Sequence, residues 1–173
     1  VNRLSKAIEQ GAVFAYSGDT IWGFGCHPLH QGSVDQILHI KRRSANKGLI
    51  LLSSSLEYCL PYLQDNLSND NLALLHQQPT KPTTWLIQAS QLCPAWLRGE
   101  YTTIAIRITN HPFIQSLCQS LKSPIVSTSA NISGKTPVRN AIQAHRLFSN
   151  QLDFIVTGFQ PGTGRASEIK SLI

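Results

Sequence analysis

A chain of 173 residues, 42% apolar and 14% charged, can bury one substantial core, and a composition without low-complexity tracts excludes extended disorder. No apolar run approaches the roughly 20 residues that span a bilayer, and no signal-peptide pattern opens the chain; one cytoplasmic domain over residues 1–173 with no membrane association is expected. The 15 Lys plus Arg against 9 Asp plus Glu give +6, which favours an anionic partner, a nucleotide or a nucleic acid.

Without methionine, the sequence is expected to lack its native start. Cys26, Cys59, Cys93 and Cys118 are widely spaced, with no Cys-x-x-Cys pair and no histidine at metal-ligand spacing, so free and mostly buried thiols are expected.

From the N-terminus, Leu4 to Gln10 reads as a helix closed by Gly11, and Val13 to Tyr16 as a buried strand emptying into the polar turn Ser17-Gly18-Asp19-Thr20. In Ile21 to Cys26 glycines alternate with bulky side chains, as where backbone passes close to another group. The dinucleotide fingerprint would need a third glycine at position 28, which is Pro28. Ser33 is expected to cap a helix carrying Val34, Ile37, Leu38 and Lys41, with Arg42 and Arg43 in its last turn. Leu49 to Leu52 follows as a strand. Helices are expected over Leu56 to Leu63 and Asn69 to Gln77, then a break at Pro79-Thr80-Lys81-Pro82 before the strand Thr83 to Gln88, with Trp85 in the core.

The run Thr103 to Ile108 alternates with period two, putting Ile104, Ile106 and Ile108 on one face and Thr103, Ala105 and Arg107 on the other. Arg107 beside small residues indicates solvent or an anion site. Asn110-His111-Pro112 opens a helix with the stripe Phe113, Ile114, Leu117, Cys118 and Leu121, which returns to Pro124-Ile125-Val126. The stretch Ser127 to Gly134 leaves that strand rich in small hydrogen-bonding side chains, suited to a turn or to a ligand's hydroxyl and phosphate groups. A helix with Ala141, Ala144, His145 and Phe148 on one side, a last strand from Asp153 to Val156 and a loop-rich tail complete the chain. Alternating strands and helices indicate one α/β domain with a twisted mixed sheet flanked by helices.

Gly134-Lys135-Thr136 imitates the end of a P-loop, but that loop needs a first glycine at 129, where the chain has Ser129. No Gly-x-Ser-x-Gly elbow, zinc-protease helix or paired-carboxylate motif is present. The cations Lys41, Arg43 and Arg107 with a Ser/Thr/Asn stretch suit an ATP-type site that works by orientation and charge neutralisation rather than through a protein nucleophile.

Lys41-Arg42-Arg43 followed downstream by Ser127-Thr128-Ser129-Ala130-Asn131 resembles the Lys-x-Arg and Ser-x-Asn signature of the YrdC/Sua5 family. Tyr16 to Gly25, Thr83-Thr84-Trp85, Ile104 to Pro112 and Pro161 to Ile169 resemble further family segments in the same order. Departures are Ser17-Gly18 where the family has Pro-Thr, Ser44 in place of Pro, and Ala166 where Pro precedes Ser. The resemblance implies a YrdC-like domain with a concave cationic cleft. It implies synthesis of threonylcarbamoyl-AMP and pyrophosphate from L-threonine, bicarbonate and ATP for threonylcarbamoyladenosine in tRNA, with Mg²⁺ carried by ATP and no protein metal site. It assigns Lys41 and Arg43 to the phosphates and the carboxylate or carbamate, and Ser127, Ser129, Asn131, Arg107 and Ser167 to the nucleotide or adenylate. Thr20 and Thr84 fall to threonine. Downstream threonylcarbamoyl-transferase proteins and tRNA are the implied partners. Two alternatives stand beside this: a non-catalytic module binding tRNA or double-stranded RNA through its basic charge, and the related carbamoyl-adenylate chemistry of hydrogenase-maturation proteins.

Overall fold

A computed structural model describes residues 1–65, 67–77, 81–159 and 162–173. The expected break at Pro79-Thr80 and the start of the closing segment at Pro161 lie outside the described residues. Among the described residues, eight strands form one sheet in the order β7-β1-β2-β6-β3-β5-β4-β8. In chain order they are β1 (Phe14–Ser17), β2 (Trp22–Cys26), β3 (Ile50–Ser53), β4 (Thr83–Gln88), β5 (Thr103–Ile108), β6 (Ile125–Ser129), β7 (Phe154–Val156) and β8 (Glu168–Ser171). The helices are α1 (Asn2–Glu9), α2 (Gln31–Lys41), α3 (Asn69–His76), the short α4 (Ala95–Arg98), α5 (Pro112–Leu121) and α6 (Ala141–Phe148). The sheet is mixed: β1–β7, β3–β5 and β4–β8 run parallel, the other neighbours antiparallel.

Strand alternation divides the interior in two. Phe14, Tyr16, Leu52 and Ile125 point into a cluster with Ile8 of α1 and Phe113, Ile114, Leu117, Cys118 and Leu121 of α5. Their neighbours Ala15, Leu51 and Val126 point into a second cluster with Val34 and Ile37 of α2, Leu75 of α3, Leu97 of α4 and Phe148 of α6. Ile104 and Ile106 belong to this second side. The glycines of β2 make room for aromatic rings: a Cβ on Gly25 would lie 2.6 Å from the Phe14 ring, and one on Gly23 3.2 Å from Tyr16. All four cysteines are free and buried.

Several expectations are corrected. The first helix turn of α2 starts at Gln31, because the His30 ring accepts from Ser33 N at 3.3 Å; Ser33 lies inside the helix and its hydroxyl donates to Gly11 O at 2.6 Å. Leu56 to Leu63 is no α-helix but a turn followed by a 3-10 turn over Leu60–Tyr62, since Pro61 lacks the N–H that would continue it. Ser127 to Ser129 belong to β6 itself, and only from Ala130 does the chain turn away. His145 is exposed rather than on the packed side of α6. Asp153 to Val156 does not contain the last strand: the tail adds β8 in parallel to β4, with Thr84 opposite Ile169.

Candidate active site

The helices α1 and α5 cover only part of their face of the sheet. Where that cover ends, Ile50, Ala105 and Ser127 lie abreast on β3, β5 and β6, and Leu52 lies beside Arg107. These residues floor two adjoining cavities. One, of about 250 Å³, is lined by Thr20, Arg43, Arg107, Ser127, Ser129 and Ser167 among others. The second, of about 430 Å³, shares Arg43, Gly48, Leu49, Ile50 and Ile169 with it and adds Thr84, Leu86 and Tyr101.

Arg43 reaches the cavities because the residue before it reverses the chain. Arg42 is the C-cap of α2 in the left-handed region, φ 50° and ψ 46°. Lys41, still helical, goes inward, and Arg43 beyond the reversal lines both cavities. Its Nη2 donates to Gly48 O at 2.9 Å, while its buried Nε has no hydrogen-bond partner. No carboxylate among the described residues pairs with it. Burial pulls the Arg43 pKa down from its usual value, so an anion in the cavity would relieve the cost of holding this charge.

Arg107 is only 6% exposed and already has a carboxylate. Its Nη2 pairs with Asp19 Oδ1, its Nη1 donates to Thr20 Oγ1 at 3.0 Å, and Thr109 Oγ1 donates to Asp19 Oδ2 at 2.7 Å. The β1–β2 turn is thereby locked to β5. The sequence reading placed Arg107 by strand alternation but missed Asp19, whose signal was a lone acid in a turn just before a buried threonine.

Ser127 is hydrogen-bonded to Tyr16 Oη at 2.7 Å, and burial holds the Tyr16 hydroxyl protonated well above its usual range. Ser167, ahead of β8, is bonded to Thr84 Oγ1 at 2.7 Å, bringing an expected threonine contact and an expected nucleotide contact together. Thr163 N and Gly164 N donate to Asp19 O and Thr20 O at 3.2 and 2.8 Å, so the closing segment forms the cavity's outer wall. Lys41 and Asn131 lie apart from the lining. Lys41 is 2% exposed, and its ammonium is engaged by Ser129 and Asn131. Among the described residues no cluster of His, Cys, Asp or Glu is arranged to hold a metal ion.

The model of the family described as telomere recombination, which unites Sua5, YciO and YrdC, matches residues 6–173. This chain belongs to the Sua5/YciO/YrdC family. Curated relatives include the threonylcarbamoyl-AMP synthase of Cellvibrio japonicus, 35% identical over 173 residues that make up 100% of this chain and 91% of that protein. The Coxiella burnetii protein of the same name is 36% identical over 173 residues, 100% of this chain and 92% of the relative. Sua5 of P. abyssi, solved with L-threonine, superposes with a TM-score of 0.90 at 25% identity, over 99% of this chain and 50% of that one; this family member therefore spans half the Sua5 chain. E. coli YciO, at 21% identity, shares the fold with a TM-score of 0.81 over 99% of this chain and 82% of that one.

Proposed function

We propose that this family member is an L-threonylcarbamoyladenylate synthase of threonylcarbamoyladenosine biosynthesis, a nucleotidyltransferase that uses ATP and L-threonine. Near full-length kinship with curated threonylcarbamoyl-AMP synthases carries the reading. The site's geometry agrees with it: an Arg43 guanidinium without a protein carboxylate partner among the described residues lines two joined cavities rimmed by hydroxyls.

With bicarbonate as the third substrate, the threonine amine forms a carbamate and releases water. A carbamate oxygen attacks the α-phosphorus of ATP, the bond to the β-phosphate bridging oxygen breaks, and pyrophosphate leaves. The substrates carry the nucleophile, so the chain's residues hold and neutralise. Arg43 meets the carbamate, carboxylate or phosphate oxygens. Arg107, its charge shared with Asp19, orients Thr20 toward threonine, and Thr84 with Ser167 does the same from the far wall. Ser127 and Ser129 contact the nucleotide from β6. Mg²⁺ would be carried on the ATP phosphates as part of the substrate, neutralising their charge, while Asp19, the carboxylate in the lining, is committed to Arg107 and Thr109. The adenylate passes to a threonylcarbamoyl-transferase acting on tRNA.

Incubation with ATP, Mg²⁺, bicarbonate and labelled L-threonine should yield a labelled adenylate and pyrophosphate, each dependent on both threonine and bicarbonate. Folded protein that forms neither product, yet binds tRNA with a steep salt dependence, would overturn the enzyme reading in favour of an RNA-binding module.

A further inference from the structure

Residues that meet substrate anions must reach the cavity, and Lys41 does not. Its Nζ is ringed by oxygens of one turn: it donates to Ser129 O, to Ser129 Oγ at 3.3 Å, to Asn131 O at 3.2 Å and to Asn131 Oδ1 at 2.8 Å. The Phe24 ring lies on another side, with its centroid 5.9 Å away. An ammonium has three protons to donate, so four oxygens already saturate it. The Arg43 charge acts on it, and among the described residues no carboxylate pairs with it.

The turn is held to Lys41 by the backbone as well, since Ser133 N donates to Lys41 O at 2.8 Å. Within the turn Asn131 N donates to Ser129 O at 3.0 Å, Ser129 Oγ donates to Asn131 Oδ1 at 2.7 Å, and Asn131 Nδ2 donates to Lys135 O. Ala130 N donates to Trp22 O at 2.8 Å. The end of α2 and the end of β6 therefore meet at one ammonium, and the start of β2 is bonded to the same turn.

We propose that Lys41 is a positioning residue: it builds the Ser129-Ala130-Asn131 turn and registers it against α2, setting Ser129 relative to Arg43 at the cavity, and does not touch the nucleotide. The proposal rests on the ATP-using reading above. It also explains why Lys41 and Arg43, only two positions apart, have different surroundings: Arg42 reverses the chain between them. Burial and the Arg43 charge pull the Lys41 pKa down to about 8, which places its titration within reach of solution measurement.

The test is NMR of the intact protein, following the Lys41 side chain through a pH titration with and without saturating ATP and Mg²⁺, with the Arg43 side chain as reporter of occupancy. Arg43 signals should shift on ATP addition. An anion at Arg43 offsets that charge and raises the Lys41 midpoint without contact, so contact itself is read from ¹⁵N–³¹P coupling at the Lys41 ammonium: none is expected, and its detection overturns the proposal. Unmoved Arg43 signals with no detectable ATP binding would instead remove the ATP-using reading on which the proposal stands. A second arm uses variants shown to be folded by circular dichroism. Lys41→Met and Asn131→Ala act through one turn, so the double variant should fall no more than about twofold below the worse single in kcat/KM. Lys41→Met should also weaken AMP and ATP binding to the same extent within about twofold, as a shared turn requires. Multiplicative losses in the pair, or a loss confined to ATP, would overturn the positioning role.

Discussion

At Arg43, charge and shape can be separated by substitution. A guanidinium presents a planar fork and an ammonium a point charge, so Arg43→Lys keeps the charge but loses the fork that fixes one N–H on Gly48 O while presenting others to an anion. Arg43→Ala and Arg43→Lys should each lower kcat/KM for threonine-dependent pyrophosphate release on the order of 10²-fold, the scale of losing one preorganised donor. At Lys41 the depressed pKa makes a stability prediction. The native state holds this proton less tightly than the unfolded chain, whose value is 10.5, so the contribution is fully present above pH 10.5 and is lost as pH falls through about 8. Denaturant unfolding between pH 8 and 10 should therefore show a more positive slope of stability with pH in the parent than in Lys41→Met, by at most about 1 kcal/mol per pH unit. Asp19→Ala leaves the buried Arg107 guanidinium unpaired. It should cost about 2–3 kcal/mol of unfolding free energy, less than for a fully enclosed pair because the Asp19 side chain is 26% exposed.

Elements decide how such side chains are aimed, and here the turn at Arg42 matters most. Left-handed backbone costs a residue with a Cβ about 1 kcal/mol and a β-branched one more. Arg42→Gly should be neutral to mildly stabilising, whereas Arg42→Val should lower the thermal midpoint and misdirect Arg43, reducing activity beyond what the lost stability explains. How far the sequence disclosed these elements follows the same local logic. Thr83–Gln88 and Thr103–Ile108 were legible to the residue because they sit between breakers and are rich in β-branched residues. The apolar stripe of α5 was equally clear, each of its five members being buried. Strand β8 was not legible: its residues are exposed on both faces, so its pairing with β4 leaves no hydrophobic pattern. The cations of the site were found as residue types, and helical periodicity placed Lys41 beside Val34, Ile37 and Leu38 on the packed side of α2, but the course of Arg43 depends on a left-handed residue that no periodicity encodes. Asp19 gained its meaning only when β5 was laid across the sheet from the β1–β2 turn.

On the scale of the molecule, the proposed site occupies the part of one side of the eight-stranded sheet that α1 and α5 leave uncovered. That part is closed by a tail segment pinned at Asp19, Thr20 and Thr84. At Gly162 the contact leaves no room: a Cβ there would lie 2.5 Å from backbone atoms of Gly18, Asp19 and Thr20, none of which can swing aside. Gly162→Ala must then lift the tail from the turn. Because few buried apolar contacts are lost, the unfolding midpoint should fall little while the cavity opens, so KM for threonine should rise more than kcat falls. Ligand linkage offers an independent reading of the same wall. A ligand that binds only the folded state at 100 times its Kd stabilises by about 2.7 kcal/mol, which for a chain of this size raises the thermal midpoint by roughly 5–10 °C. ATP with L-threonine should produce such a rise in the parent and a smaller one in Gly162→Ala at the same concentrations. An equal rise in both would show that the tail contributes nothing to holding the ligands, and would return the enclosure of the site to the sheet and Arg43 alone.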